Sequence, residues 1–280
     1  MQVPAPFEYE RAGDVDAAVA LLARHGTEAR LIAGGHSLLP MMTLRLARPE
    51  TLIDINGLSE LGGIAETRSG LRVGALTRQA TLGASEIVAR RAPLLNAAVP
   101  FIAHPAIRNR GTFGGSLAQA DPAAELPACV VALDARLEIA GPRGRRQVAA
   151  RDFFKGVYET ALTRDEILIA AEIPAQPGAT LFLELARRQG DYAIAGLAGW
   201  AALRQGRIAE ARLVFFGTDI RAVEAKAAAA ALGTSLDAAV AALDRDLAPV
   251  ADLNASAAMK RHLAGALLRR ACAAAMARAA

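Results

Sequence analysis

The chain has 280 residues, 53% of them hydrophobic and only 4% aromatic, with a formal net charge of +4 and a pI near 9.5. That length accommodates one large domain or two ordinary ones, each with its own core. The arginines are scattered and stacking aromatics few, which argues against nucleic acid and for a basic face toward a protein partner. No apolar run reaches the ~18 residues a bilayer span needs, and the opening MQVPAPFEYE lacks the basic-then-apolar order of a secretory signal, so a cytoplasmic protein is expected.

In chain order, Asp14 caps a helix whose apolar face, Val15, Ala18, Val19 and Leu22, ends at Gly26. A strand over Arg30 to Ala33 runs into Gly34, Gly35, His36 and Ser37, and a second strand covers Thr51 to Ile55 after an apolar stretch that follows Pro40. Strands near Leu71 to Leu76, helices between Thr77 and Val99, a glycine turn at Gly111 to Ser116 and a helix from Pro122 to Leu133 follow. Arg136 to Ala140 and Arg146 to Ala150 flank a GPRG hairpin turn, and a strand at Ile167 to Ile173 ends at Pro174.

Pro177 and Gly178 mark a boundary. Beyond it, Leu181 to Leu185, Ala193 to Leu203 and Arg207 to Phe216 read as strands, the last two joined at Gln205 and Gly206. From Ile220 onward, three alanine-rich helical segments are separated by Gly233 and Pro249. Cys129 and Cys272, the only cysteines, lie far apart in apolar segments; they read as buried free thiols rather than a disulfide, a zinc site or an iron–sulfur cluster.

Two glycine turns stand out, Ala33-Gly34-Gly35-His36-Ser37 and Thr112-Phe113-Gly114-Gly115-Ser116. Paired glycines let backbone amides converge on an anion without Cβ obstruction, and a nearby hydroxyl adds a donor. Each turn taken singly can equally be structural. No G-x-G-x-x-G opens a helix after a strand, and no G-x-x-x-x-G-K-[ST] occurs, so neither a Rossmann fold nor a P-loop is supported.

The longer wording is more specific. LIAGGHSLLPMMTLRLARPETLIDINGL from Leu31, IRNRGTFGGSLAQADPAAELPA from Ile107 and GDYAIA from Gly190 closely resemble the FAD-binding medium subunits of the xanthine dehydrogenase and carbon monoxide dehydrogenase family of molybdenum hydroxylases. The likeness covers almost the whole chain, with three motifs in the family's order and an alanine-rich helical C-terminal part. It implies an α+β fold. A vanillyl-alcohol-oxidase (PCMH-type) FAD-binding domain would occupy residues 1–175, with subdomains of about 1–57 and 58–175. A domain of antiparallel sheet plus helices would occupy 176–280.

By the same resemblance, Ile32, Ala33, Gly34, Gly35, His36, Ser37 and Leu38 contact the FAD diphosphate from one side, and Thr112, Gly114, Gly115, Ser116 and Ala118 from the other. Ile102, Ala103 and Ile107 form a wall beside the cofactor, Glu125 matches an acidic position near it, Tyr192 stands by the isoalloxazine ring, and Ile169 and Asp191 are further cofactor-binding positions. Tyr192 can instead be a strand tyrosine facing the core. His36 reads as a hydrogen-bond donor or packing group rather than a base, and His25, His104 and His262 have no partner at metal-ligand spacing. Arg108 and Arg110 can neutralise phosphate or pair with carboxylates at the subunit boundary, while Asp121, before Pro122, reads as a helix cap.

The family likeness implies a task of electron transfer, with no catalytic acid–base residue in this chain and no metal. The molybdenum-pterin cofactor and two [2Fe-2S] clusters are expected on a large and a small partner subunit, in a dimer of heterotrimers. A stand-alone FAD oxidoreductase of the same fold and a cofactor-free assembly factor are the alternatives.

Overall fold

A computed structural model describes residues 3–277. The first layer holds β1 (Glu8–Arg11), α1 (Val15–His25), β2 (Ala29–Ile32), α2 (Leu38–Thr43) and β3 (Thr51–Asp54). Its strands run parallel in the order β1-β3-β2. Asp14 caps α1 by accepting the Ala17 amide at 2.7 Å, and Gly26, at φ +57°, ends it. The central strand β3 is buried at all four residues.

The second sheet begins with β4 (Ile64–Glu66) and β5 (Gly70–Gly74), after which the chain runs through α3 (Gln79–Ala84), α4 (Glu86–Arg91), α5 (Pro93–Ala98), α6 (Pro105–Arg108), α7 (Phe113–Gln119) and α8 (Glu125–Ala132). It resumes with β6 (Arg136–Gly141) and β7 (Gly144–Ala149). After α9 (Ala150–Phe153) and a small hairpin of β8 (Phe154–Gly156) and β9 (Glu159–Thr160), β10 (Ile167–Pro174) inserts between β5 and β6. That central place explains its buried run: Ile167 and Ile169 pack into the core of the first layer, Leu168, Ala171 and Ile173 into the larger core around α8.

A third, antiparallel sheet orders β11 (Ala179–Leu185), β12 (Ala195–Arg204), β13 (Arg207–Phe216) and β14 (Val223–Glu224) in sequence, followed by α10 (Lys226–Ala231), α11 (Leu236–Asp246) and α12 (Ala257–Ala277). Gln205 and Gly206 both take positive φ, 51° and 71°, the condition for the tight hairpin joining β12 to β13. One face of this sheet, with Leu181, Leu197, Leu213 and Phe215, packs on the three C-terminal helices. The other, with Phe182, Ala198, Trp200, Val214 and Phe216, packs on α5 and α8.

α8 is buried at every residue because sheet lies over it on that side. Trp200 fixes its C-terminal end by donating Nε1–H to the Ala132 carbonyl at 3.1 Å, and the Gly217 amide holds the approach to its N-terminus through the Pro122 carbonyl at 2.8 Å. No helix among the described residues is long and apolar enough to cross a membrane.

Two local expectations change. The glycine turn at Gly111 to Ser116 is largely the first turn of α7, with Thr112 as its cap. Asp121 does not cap α8: its carboxylate accepts the Ala123 amide at 2.9 Å in a turn, and α8 begins later, after Ala124. The short elements β4, β8, β9, β14 and α6 carry too few residues for a periodic signal.

Candidate functional site

The first glycine loop leaves β2 and enters α2. Gly35 has φ +76°, and a Cβ on Gly34 would lie 2.5 Å from the Arg110 carbonyl oxygen and 2.9 Å from Gly111 Cα, so two loops remote in sequence meet backbone to backbone. Asn56 fastens the loop from below, donating Nδ2–H to the Ala33 carbonyl at 2.8 Å while Asp54 accepts from it at 2.7 Å. Arg78 ties the two loops together, giving one guanidinium N–H to Asn56 Oδ1 at 2.9 Å and another to the Arg110 carbonyl. Among the described residues, the amides of Gly34, Gly35, His36, Ser37 and Leu38 donate to no other part of the chain. Consecutive unspent amides at a glycine turn form an anion nest.

The second motif is built differently. Gly114 donates its amide to the Ala75 carbonyl, Gly115 to Thr112 Oγ1 and Ser116 to the Thr112 carbonyl. Its glycines serve close packing: a Cβ on Gly114 would strike Ala75, and one on Gly115 would sit 2.5 Å from Thr112 Oγ1. The two similar pentapeptides therefore offer unequal chemistry, free amides in the first and a positioned helix end with the Ser116 hydroxyl in the second.

Between them runs a cleft of about 800 Å³. Of the residues singled out from sequence, Ile32, Ala33, Gly34, Gly35, His36, Ser37, Leu38, Ile102, Ala103, Ile107, Thr112, Gly114, Gly115, Ser116, Ala118, Glu125, Asp191 and Tyr192 line it. Ile169 does not border the cleft: it is buried in the core of the first layer and supports the site through its carbonyl, which accepts the Ala75 amide. The loop carrying Asp191 and Tyr192 comes from the C-terminal sheet and docks through Gly190, at φ +85°, where a Cβ would approach the Ala103 carbonyl to 2.8 Å.

Arg108 turns its guanidinium to the backbone. It donates to the carbonyls of Ile102 and Ala103, at 2.8 and 3.0 Å, and so braces Ala103 at φ +41°. Arg110 alone of the two borders the first loop, beside Gly34, Gly35 and His36. Tyr192 is 68% exposed at the cleft, which overturns its reading as a core tyrosine.

Gln79 was not legible as a site residue. It is 6% exposed, lines the cleft, and its Oε1 is buried without a hydrogen-bond partner in the chain. An orphaned acceptor of this kind calls for an outside donor. Its only sequence signal is a polar residue on the buried side of a short helix, and its proximity to Gly111 arises from the bridge between Arg78 and Thr112.

The electrostatics divide the cleft. Burial pushes the Glu125 carboxyl up to about 7, with Asp121 adding to the rise. At another part of the lining, hydrogen bonds from Arg146, at 2.7 and 2.6 Å, hold Glu166 down at about 2. Among the described residues, no three His, Cys, Asp or Glu side chains are placed to hold a metal ion. Both cysteines are buried thiols, Cys272 raised to about 11 by burial. An elongated ligand fits these features: an anionic segment at the free amides, a polar group at Gln79, and an apolar body along Ile102, Ala103 and Ile107.

Residues 5–176 match the family model for the FAD binding domain in molybdopterin dehydrogenase, and residues 180–275 that for the CO dehydrogenase flavoprotein C-terminal domain. The carbon monoxide dehydrogenase medium chain of Hydrogenophaga pseudoflava is 40% identical over 286 residues, covering 99% of this chain and 100% of that one. A reconstituted CO dehydrogenase from Oligotropha carboxidovorans is similar in structure with a TM-score of 0.95 at 37% identity, over 99% of this chain and 100% of its counterpart. Quinoline 2-oxidoreductase from Pseudomonas putida 86 gives 0.94 at 36% identity, over 100% and 99%.

Proposed function

The chain belongs to the FAD-binding medium subunits of the molybdenum hydroxylases, and from that premise we propose that it is the electron relay of a larger cytoplasmic enzyme, taking electrons from a partner iron–sulfur subunit and passing them to an external acceptor. The observation that carries this reading is the cleft itself, where five unspent amides, the orphaned Gln79 acceptor and a loop from the C-terminal sheet meet around one cavity. Bound FAD supplies the redox chemistry, because flavin exchanges electrons both in pairs and singly.

The chain's own residues bind and orient. The amides from Gly34 to Leu38 receive the diphosphate, with Arg110 and the Ser116 hydroxyl flanking it. Gln79 supplies a polar contact, Ile102, Ala103 and Ile107 exclude water along an apolar wall, and Asp191 and Tyr192 limit access at the mouth. In this reading residues 1–175 hold the cofactor and 176–280 close one side of it.

A large molybdenum-cofactor subunit and a small subunit with two [2Fe-2S] clusters supply the remaining centres, in a dimer of heterotrimers. Two buried cysteines leave this chain without thiolates for a cluster of its own. Similar chains come from enzymes named for CO and for quinoline, which fits a substrate pocket in the large partner.

Expressed alone, the full chain is expected to be yellow with equimolar flavin and to lack hydroxylase activity, while capture from its source recovers both partners. A folded but colourless chain overturns the flavin assignment. Substrate oxidation by the isolated chain points instead to a stand-alone FAD oxidoreductase.

A further inference from the structure

Glu184 lies on β11, whose residues alternate between two cores. Leu181 and Leu183 turn toward the C-terminal helices, whereas Phe182 packs into the core around α8. Glu184 shares the Phe182 face and stands in a cross-strand row with Gly196 and Phe216. Gly196 has no room for a side chain, because a Cβ there would run into the Phe216 ring. Phe182 and Phe216 stack at 5.9 Å, so this carboxyl enters an aromatic environment. Its Oε2 is fully buried and has no hydrogen-bond partner in the chain.

Glu125 approaches the same seam from the first turn of α8. It is 8% exposed and lines the cleft, and one helical turn on is Cys129, which feels the charges of both carboxylates. Among the described residues no cation acts on either glutamate, and the cations after β11, Arg187 and Arg188, are exposed.

The other charge that reaches the pair is also acidic, Asp121 before α8, which raises Glu125, and Glu125 in turn raises Glu184 and the Tyr192 phenol at the cleft. On the facing rows Ala198, Trp200, Val214 and Phe216 are not titratable and α5 (Pro93–Ala98) has no ionisable side chain, while the ionisable groups nearest along this face, Arg212 of β13 and Glu224 of β14, are paired with each other at 3.3 Å. Two carboxyls in one apolar seam without a cation cannot both ionise cheaply. A protonated member also provides the O–H donor that the seam lacks.

We propose that Glu125 and Glu184 form a proton-loading pair between the FAD-binding unit and the C-terminal sheet, binding one proton from solvent when negative charge is added to the cleft and releasing it when that charge leaves. The inference rests on the cofactor reading above. Its balance is simple: two electrons enter from the reducing partner, one carboxylate oxygen gains a proton to form an O–H bond, and that bond breaks again when the acceptor withdraws the electrons. Glu125 faces the cleft, and Glu184 is a positioning residue that acts through it. Burial pushes the two carboxyls up to about 7 and about 8, with the Glu125 charge adding to the rise at Glu184.

The test uses the full flavin-loaded chain and the isosteric variants Glu125→Gln and Glu184→Gln, singly and together. Infrared spectra of the native protein should show a protonated-carboxyl band at neutral pH that fades by about pH 9 and is diminished in each variant. Reductive titration with an indicator dye at a pH between the two values should show native protein taking up up to one proton more per electron pair than the double variant. The flavin midpoint potential of the double variant should also lose its bend in that pH range. A native spectrum without the band at neutral pH, or equal proton uptake in native and double variant, overturns the proposal. A colourless chain that retains the band would instead sink the cofactor reading and leave the carboxyl pair standing.

Discussion

Gly34 and Arg110 touch across the two halves of the FAD-binding unit: a single methyl on Gly34 would come within 2.5 Å of the Arg110 carbonyl oxygen. Neither atom belongs to a flexible side chain, so the loops must part to admit it. Gly34→Ala is expected to cost about 1–3 kcal/mol through overpacking and to lower the flavin-to-protein absorbance ratio. A purified variant with native melting temperature and full flavin content would show that the close approach has no role.

Arg78 spans the same junction, with hydrogen bonds to Asn56 Oδ1 and the Arg110 carbonyl. Arg78→Met keeps the stem but removes both bonds, each worth about 0.5–1.5 kcal/mol net and more with a charged donor. Flavin affinity, measured by fluorescence titration of the apo chain, should fall about tenfold or more. Arg78→Lys should not restore it, since an ammonium lacks the planar fork that reaches two acceptors in different directions.

Gln79 gives a prediction whose sign depends on the ligand. Its Oε1 is buried without a partner in the chain, so Gln79→Met should leave the apo melting temperature unchanged or raise it. The same change should weaken flavin binding by about 1 kcal/mol, roughly fivefold in Kd. Parallel thermal shifts with and without FAD separate the two effects, and a variant that is destabilised equally in both states would place Gln79 in folding rather than binding.

Glu166 sets an acid limit. Arg146 holds it down at about 2, against an ordinary value of 4.5, helped by the Thr163 amide at 2.9 Å. A carboxyl lowered in the folded state contributes stability above 4.5 and loses it as pH falls toward 2. Urea midpoints should therefore decline across that window, and Arg146→Gln should flatten the decline while lowering stability at neutral pH. Glu125 and Glu184 act with the opposite sign: raised carboxyls withdraw stability as pH climbs from 4.5 to between 7 and 8. Their glutamine variants should flatten that side alone.

The sequence by itself determined the longer elements and the family. Asp14 and Gly26 delimit α1, Gln205-Gly206 makes the hairpin, and the alanine-rich segments after Ile220 form α10, α11 and α12, because capping, φ requirements and periodicity act over a few residues. Three ordered motifs then pointed to an FAD cleft. What only the tertiary structure decided depends on contacts between distant segments. Two similar glycine motifs differ because Ala75 and Thr112 consume the amides of one while those of the other stay free. Gln79 is orphaned only because the backbone at Gly111 folds over it, and the charge of Glu125 reaches Glu184 only because the sheet of β11, β12 and β13 folds onto α5 and α8. Local rules fix what each segment is, whereas burial and charge at a site are set by what the rest of the chain brings against it.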